Sequence, residues 1–199
     1  QSLFFSATMP GEIEALTKEL LVDPAKVAVT PTATTVELID QRVIQIEANR
    51  KRALLVELLA DAAMSRTLIF TRTKRGADRV ARHLDGAGIA VSAIHGNKSQ
   101  RQREDALEAF RDGNIRVLVA TDIAARGIDI DKVSHVVNFE MPEVPEAYVH
   151  RIGRTARAGA SGIAISLVAG DERGLLRDIE RVTRQQIASE DRRNDTGLE

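Results

Sequence analysis

The sequence predicts an α/β domain built on a parallel sheet with helices on both faces. Three observations carry that expectation. From Val43 onward, short β-rich runs alternate with amphipathic stretches, the pattern of βαβ units joined by right-handed crossovers. The run Arg116–Ala120 is nearly all apolar, as a strand buried on both faces must be. The polar, glycine-containing segments fall directly after the strands, at the carboxyl ends where such sheets bind ligands.

Taken in order, Val43–Ile46 reads as a strand. Lys51–Ala63 reads as a helix, with Leu54, Leu55, Leu58 and Leu59 on one face. Thr67–Phe70 is a strand, and Lys74–Ala87 a helix through Ala77, Val80, Ala81 and Leu84, with Gly88 as a C-terminal cap. Val91–Ile94 is a strand. Gln100–Arg111 is a helix that turns Leu107 and Phe110 inward, with Ser99 a candidate N-cap. After Arg116–Ala120 come strands at His135–Phe139 and Ile163–Val168, and helices at Glu146–Ile152 and Glu172–Gln186, the latter with Asp171 as N-cap. The first thirty residues fit less well. Leu3–Phe5 and Lys26–Val29 read as strands around a helix at Glu12–Leu21, and a Thr-Pro-Ala stretch follows. They are either a first βαβ unit of one domain or the tail of a preceding one. The polar end, SEDRRNDTGLE, is expected to be mobile.

Composition bounds the rest. The 199 residues suit one domain, or one plus a fragment. With no Cys there is no disulfide, no thiolate metal site and no thiol nucleophile, which fits a reducing compartment. No apolar run approaches the roughly 20 residues of a membrane helix, and the opening QSLFFSATMP has no basic leader. A net charge of −1 argues against a polyanion partner. Yet 22 of the 28 basic residues are Arg, the side chain best suited to bidentate phosphate contacts, so their placement matters more than the sum.

Four segments carry chemistry. HRIGRTAR, His150–Arg157, spaces Arg151, Arg154 and Arg157 three apart around Gly153. A solvated helix face is the competing reading, but Gly153, Thr155 and Gly159 fit a helix end and loop that deliver guanidiniums to an anion, and a transferring phosphoryl group rewards that most. ATDIAARGIDI, Ala120–Ile130, puts Thr121, Asp122, Arg126, Gly127 and Asp129 at a strand's carboxyl end, either as phosphate and ribose contacts or as caps of the next turn. HGNKSQRQR, His95–Arg103, sets Gln100 and Arg103 one helical turn apart near a helix N-terminus. It is not a P-loop: G-x-x-x-x-G-K-S/T ending at Lys98–Ser99 would need Gly where Asn97 and Ser92 stand. LIFTRT, Leu68–Thr73, ends with Thr73 in a loop after a strand.

In this order, LIFTRT, HG-x-x-x-Q-x-x-R, ATDIAARGID and HRIGRTAR together resemble the second RecA-like domain of a DEAD-box ATP-dependent RNA helicase, a P-loop NTPase-type three-layer fold, from residue 1 to about 187. Ser6-Ala7-Thr8 resembles that family's SAT motif, which closes the first RecA-like domain. HGNKSQ, VVNFEMPEVPEAYVHRIGRTARAG and LLRDIE resemble the bacterial RhlE-type subgroup. The resemblance implies three segments: residues 1–31 as the end of a first RecA-like domain, with a linker to about 36; residues 37–187 as the second; and residues 188–199 as a disordered tail. It implies Arg154 and Arg157 as an arginine-finger pair, Arg157 toward the γ-phosphate, with Gly127 and Asp129 on the ribose side. It makes His150, Ser6 and Thr8 interdomain couplers. It makes Thr73, Gly96, Gln100, Arg103, Thr121, Asp122 and Arg126 contacts to the backbone of single-stranded RNA, without sequence preference. P-loop, D-E-A-D box and Q motif are missing from the chain, so ATP and Mg²⁺ are expected to be held mainly by the first RecA-like domain. The fragment is then inactive alone, cytoplasmic, not membrane-bound, and a monomer or a dimer swapped through residues 1–31. Two other readings stand beside it: a DNA helicase or translocase of the same superfamily, and a non-catalytic RNA-binding module.

Overall fold

Alternation across pleated strands sorts the apolar residues of this chain onto the two faces of one sheet. The structure is a computed structural model and describes residues 2–6, 9, 11–27, 38–125, 133–156, 161–195 and 197. Its strands are β1 (Ile39–Gln45), β2 (Thr67–Thr71), β3 (Val91–Ile94), β4 (Val117–Thr121), β5 (His135–Asn138), β6 (Gly162–Val168) and β7 (Ala188–Asp191). They form one sheet in the order β3-β4-β2-β5-β6-β1-β7, and every pairing is parallel. The helices are α1 (Gly11–Leu20), α2 (Lys51–Leu59), α3 (Lys74–Gly86), α4 (Gln100–Arg111), α5 (Asp122–Ala125), α6 (Pro145–Ile152) and α7 (Arg173–Thr183).

The register explains the layers. Ile69 lies beside Val119 and Val137, and these side chains meet Leu54, Leu55 and Leu59 of α2 and Ala77, Val80 and Leu84 of α3. One residue earlier, Leu68 pairs with Leu118 and Val136. That row faces the other way, onto Ala106 and Phe110 of α4. Farther along that face, Val43, Ala164 and Val168 pack with Tyr148 and Ile152 of α6 and Ile179 of α7. This is the expected three-layer, RecA-like arrangement.

Local signals set most boundaries. Thr73 caps α3 by accepting from the Gly76 N–H, and Ser99 caps α4 in a reciprocal box with Gln102. Gly88 leaves α3 at φ +77, a conformation only glycine adopts without strain. Several boundaries differ from expectation, among them the end of α7, at Thr183 rather than Gln186. β1 begins four residues earlier, at Ile39, because Ile39 and Val43 are both buried around a solvated stretch. α2 stops at Leu59, capped at Ala60, and a turn buries Met64. Asp171 does not cap α7: Gly170–Glu172 is a 3₁₀ turn, and Glu172 precedes the helix with its carboxylate turned inward.

The polar end needs a larger correction. The resemblance predicts a disordered tail over residues 188–199, but Ala188–Asp191 is a strand that pairs with Arg42–Gln45. Ile187, buried among the α6 and α7 residues, anchors it. Arg192 ties it down through Glu57 of α2 at 2.7 Å, and Asp195, three residues on, pairs with the same guanidinium. All four strand residues are exposed, so no apolar alternation marks them.

The chain divides into two compact units, Gln1–Thr32 and Ala33–Glu199. In the first, α1 begins one residue before its expected start. Leu3–Phe5, expected as a strand, has no sheet partner among the described residues; of the expected strand Lys26–Val29, Lys26 and Val27 have none and residues 28–29 lie outside the described residues. Leu3, Phe5, Val22 and Val27 are exposed. Among the described residues, no helix is long and apolar enough to cross a membrane.

Candidate nucleic-acid groove and arginine segment

β3, β4 and β2 are neighbours at one edge of the sheet, so the loops at their carboxyl ends lie side by side. Together they form an open groove of about 740 Å³ lined by Arg72, Thr73, Lys74, Arg75, Arg79, Gly96, Asn97, Thr121, Asp122 and Ile123. Four residues expected at the RNA backbone therefore meet: Thr73, Gly96, Thr121 and Asp122. Arg75 and Arg79 have no ion pair among the described residues, which leaves their guanidiniums available to an anion. Lys74 donates to Asn97 Oδ1 at 2.8 Å and ties one wall to the other. A side chain at Gly96 would come within 3.3 Å of Lys74 Cε, so the glycine keeps this wall low. Beneath it, buried His95 brings Nε2 to 2.9 Å from Asp78 Oδ1, and its Nδ1 accepts from the Asn97 N–H at 3.3 Å. The hydrogen bond with His95, helped by Lys98, holds the Asp78 carboxyl below the usual range.

Gln100 and Arg103 lie on the first turn of α4, outside the residues that line the groove. Gln100 donates to Glu104 at 2.7 Å, and Arg103 Nη2 lies 3.5 Å from the Ala124 carbonyl of α5.

A second recess, of about 20 Å³, lies between α5 and α6 and is lined by Phe70, Asp122, Ala125, Ala147, His150, Arg151 and Arg154. The arginine segment begins as the last turn of α6. Gly153 caps the helix, and the chain turns through Arg154 and Thr155. Thr155 donates to the Val133 carbonyl at 2.5 Å, and a Cβ at Gly162 would lie 2.3 Å from its hydroxyl, so this turn is clamped against β6. His150 is exposed and Arg154 half-buried. Arg126, Gly127, Asp129, Arg157 and Thr8 lie outside the described residues; Ser6 is exposed in the first unit.

The groove and the arginine segment share Asp122. Its two oxygens accept from Arg151 Nε at 2.6 Å and Nη2 at 2.8 Å. Arg151 is only 1% exposed. Its Nη1 reaches Asn138 Oδ1 at 3.2 Å and the Glu140 carbonyl at 2.7 Å, and the guanidinium stacks 5.1 Å over Phe70. All three nitrogens have acceptors, which is what keeps a buried guanidinium tolerable. Glu140 extends the connection, because its side chain accepts from the Arg72 N–H at 2.7 Å.

A second buried ion pair supports the same strand ends. Lys51 donates to Glu172 and, at 2.9 Å, to the Phe139 carbonyl. Glu172 also accepts from the Met141 and Ala169 N–H groups at 3.0 Å, and Arg72 lies 3.8 Å from it. Burial lowers the Lys51 pKa, opposed by Glu172. These supporting roles of Arg151, Lys51, Glu140 and Glu172 were not assigned from sequence. One signal was available: Lys51 lies on the helical face of Leu54, Leu55 and Leu59, where a charge needs a buried partner.

Among the described residues no cluster of His, Asp or Glu could hold a metal ion. The donors that line the groove are cationic or neutral, a set that suits phosphate oxygens.

Comparisons with known proteins agree with this geometry. The family described as "Helicase conserved C-terminal domain" matches residues 50–159. The DEAD-box ATP-dependent RNA helicase CshA of Bacillus subtilis is 42% identical over 187 residues, covering 94% of this chain and 38% of that protein. The chain thus spans about two fifths of the length of the curated relatives it matches. Among solved structures, Escherichia coli DEAD-box protein SrmB, bound to regulator of ribonuclease activity A, is 41% identical with a TM-score of 0.71, covering 76% of this chain and 90% of that one. Saccharomyces cerevisiae Dbp5 bound to RNA and ADP–BeF3 is 30% identical with a TM-score of 0.83, covering 94% of this chain and 50% of that one.

Proposed function

Because the chain belongs to the DEAD-box RNA helicase family, as its C-terminal RecA-like domain, we propose that it is one half of an ATP-dependent machine that separates short RNA duplexes. The observation that carries this reading is the shared Asp122: one carboxylate lines the basic groove and fixes the arginine at the head of the Arg154 turn. The groove would hold one RNA strand by its phosphates, which needs no base-specific contact. The Arg154 turn, with Arg157 beyond it, would reach the γ-phosphate of ATP bound on a first RecA-like domain, and His150 would meet that domain's motifs. Bound Mg²⁺ would neutralise phosphate charge, and its protein ligands belong in this proposal to the first domain. Gly127 and Asp129 would face the ribose, and Ser6 and Thr8 would couple hydrolysis to strand separation. Closure of the two domains would follow from both ligands binding the closed state better. The bacterial RhlE-type subgroup, a cytoplasmic setting and a fragment that is a monomer or a dimer swapped through residues 1–31 belong to the same proposal.

RNA-stimulated ATP hydrolysis by the full-length protein tests the reading. Arg157→Ala should lower kcat by about 10³-fold, at the low end of what an arginine finger supplies, and the isolated 199-residue chain should not turn ATP over. Near wild-type turnover in the variant, or stimulation by DNA equal to that by RNA, would contradict it.

A further inference from the structure

α5 is a single turn, and its four residues have different fates. Asp122 takes Arg151, and Ala124 and Ala125 are buried. Ile123 is left 79% exposed. Among the described residues of the Ala33–Glu199 unit, the other strongly exposed large apolar side chains are Leu38 at 45%, Val144 at 56% and Val182 at 51%, so Ile123 is the most exposed of these. Unlike those three, it lies in the groove, beside Thr121 and Asp122 and among Arg72, Thr73, Lys74, Arg75 and Arg79. At that exposure the fold does not require an apolar side chain. Among the described residues that line the groove, the others are charged, polar or glycine and none is aromatic, so they offer no stacking platform for a base.

We infer that Ile123 makes an apolar contact with the nucleoside part, ribose or base, of RNA bound in the groove, while the surrounding cations hold the phosphates. The inference rests on the functional reading above and extends it: Ile123 is what distinguishes a nucleic-acid strand from a bare chain of phosphates. The contact carries no charge, so it contributes affinity without adding to the salt dependence.

The test uses the 199-residue chain and two probes, a ten-nucleotide oligouridylate and inorganic polyphosphate, titrated at several salt concentrations. Partial burial of an isoleucine corresponds to a loss of roughly 3- to 10-fold in affinity. Ile123→Ser should weaken oligouridylate binding by that factor, leave the salt slope and the melting temperature unchanged, and leave polyphosphate binding at the wild-type level. Ile123→Val should retain most of the affinity. Unchanged oligouridylate affinity in Ile123→Ser, or an equal loss on polyphosphate, overturns the inference while the functional reading stands. If the wild-type chain binds no oligouridylate at low salt, the functional reading itself fails, and the inference with it.

Discussion

Arg151 holds its charge at 1% exposure because Asp122, Asn138 and the Glu140 carbonyl accept from all of its nitrogens. Taking away the carboxylate leaves the guanidinium buried with neutral acceptors only. Asp122→Asn should therefore cost about 3 kcal/mol, as breaking a buried ion pair does, read as a lower urea midpoint at unchanged m-value. Arg151→Lys should not rescue the site, since an ammonium cannot span Asp122 and Asn138 together. At this scale the sequence disclosed residue types better than roles. HRIGRTAR announced three arginines for an anion, yet one of them faces inward and organises the other segments. Nothing in the spacing distinguishes Arg151 from Arg154. What separates them is that the helix ends at Gly153, so that Arg151 lies on the buried side of α6 with Tyr148 and Ile152.

Among the elements, the strands with a strong apolar signal were legible to within a residue or two, because burial on both faces leaves little choice of residue. β7 was not, since its four residues are exposed and depend on β1 for their hydrogen bonds. Leu3–Phe5, expected as a strand, has no sheet partner among the described residues, and a ladder partner is something composition cannot disclose. β5 offers a pH test. Burial, with Arg42 adding to it, lowers the pKa of His135 at its start, while Asp61 opposes the shift. The unfolded chain then binds a proton more readily than the folded one below about pH 6.5. Stability should accordingly fall as pH drops through that value, and His135→Asn should flatten the decline in melting temperature between pH 7.5 and 5.5. An equal decline in the variant would assign it to other groups.

For the whole molecule, the net charge of −1 is an average that conceals one concentrated surface. Arg72, Lys74, Arg75 and Arg79 line the same groove, and the acidic residues that offset them in the sum lie mostly elsewhere. The class of fold and the edge of the sheet that bears the site were readable from strand–helix alternation and from the segments at the strand ends. The groove itself was only partly readable: Arg79 lies within α3, outside the four segments that the sequence singled out for chemistry. The central claim is that this groove binds single-stranded RNA through its phosphates, and the salt dependence of oligouridylate affinity tests it most directly. Four cations predict a log–log slope of about −3, reduced by about 0.7 in Arg79→Ala. A slope near zero, or one that Arg79→Ala leaves unchanged, would contradict the account.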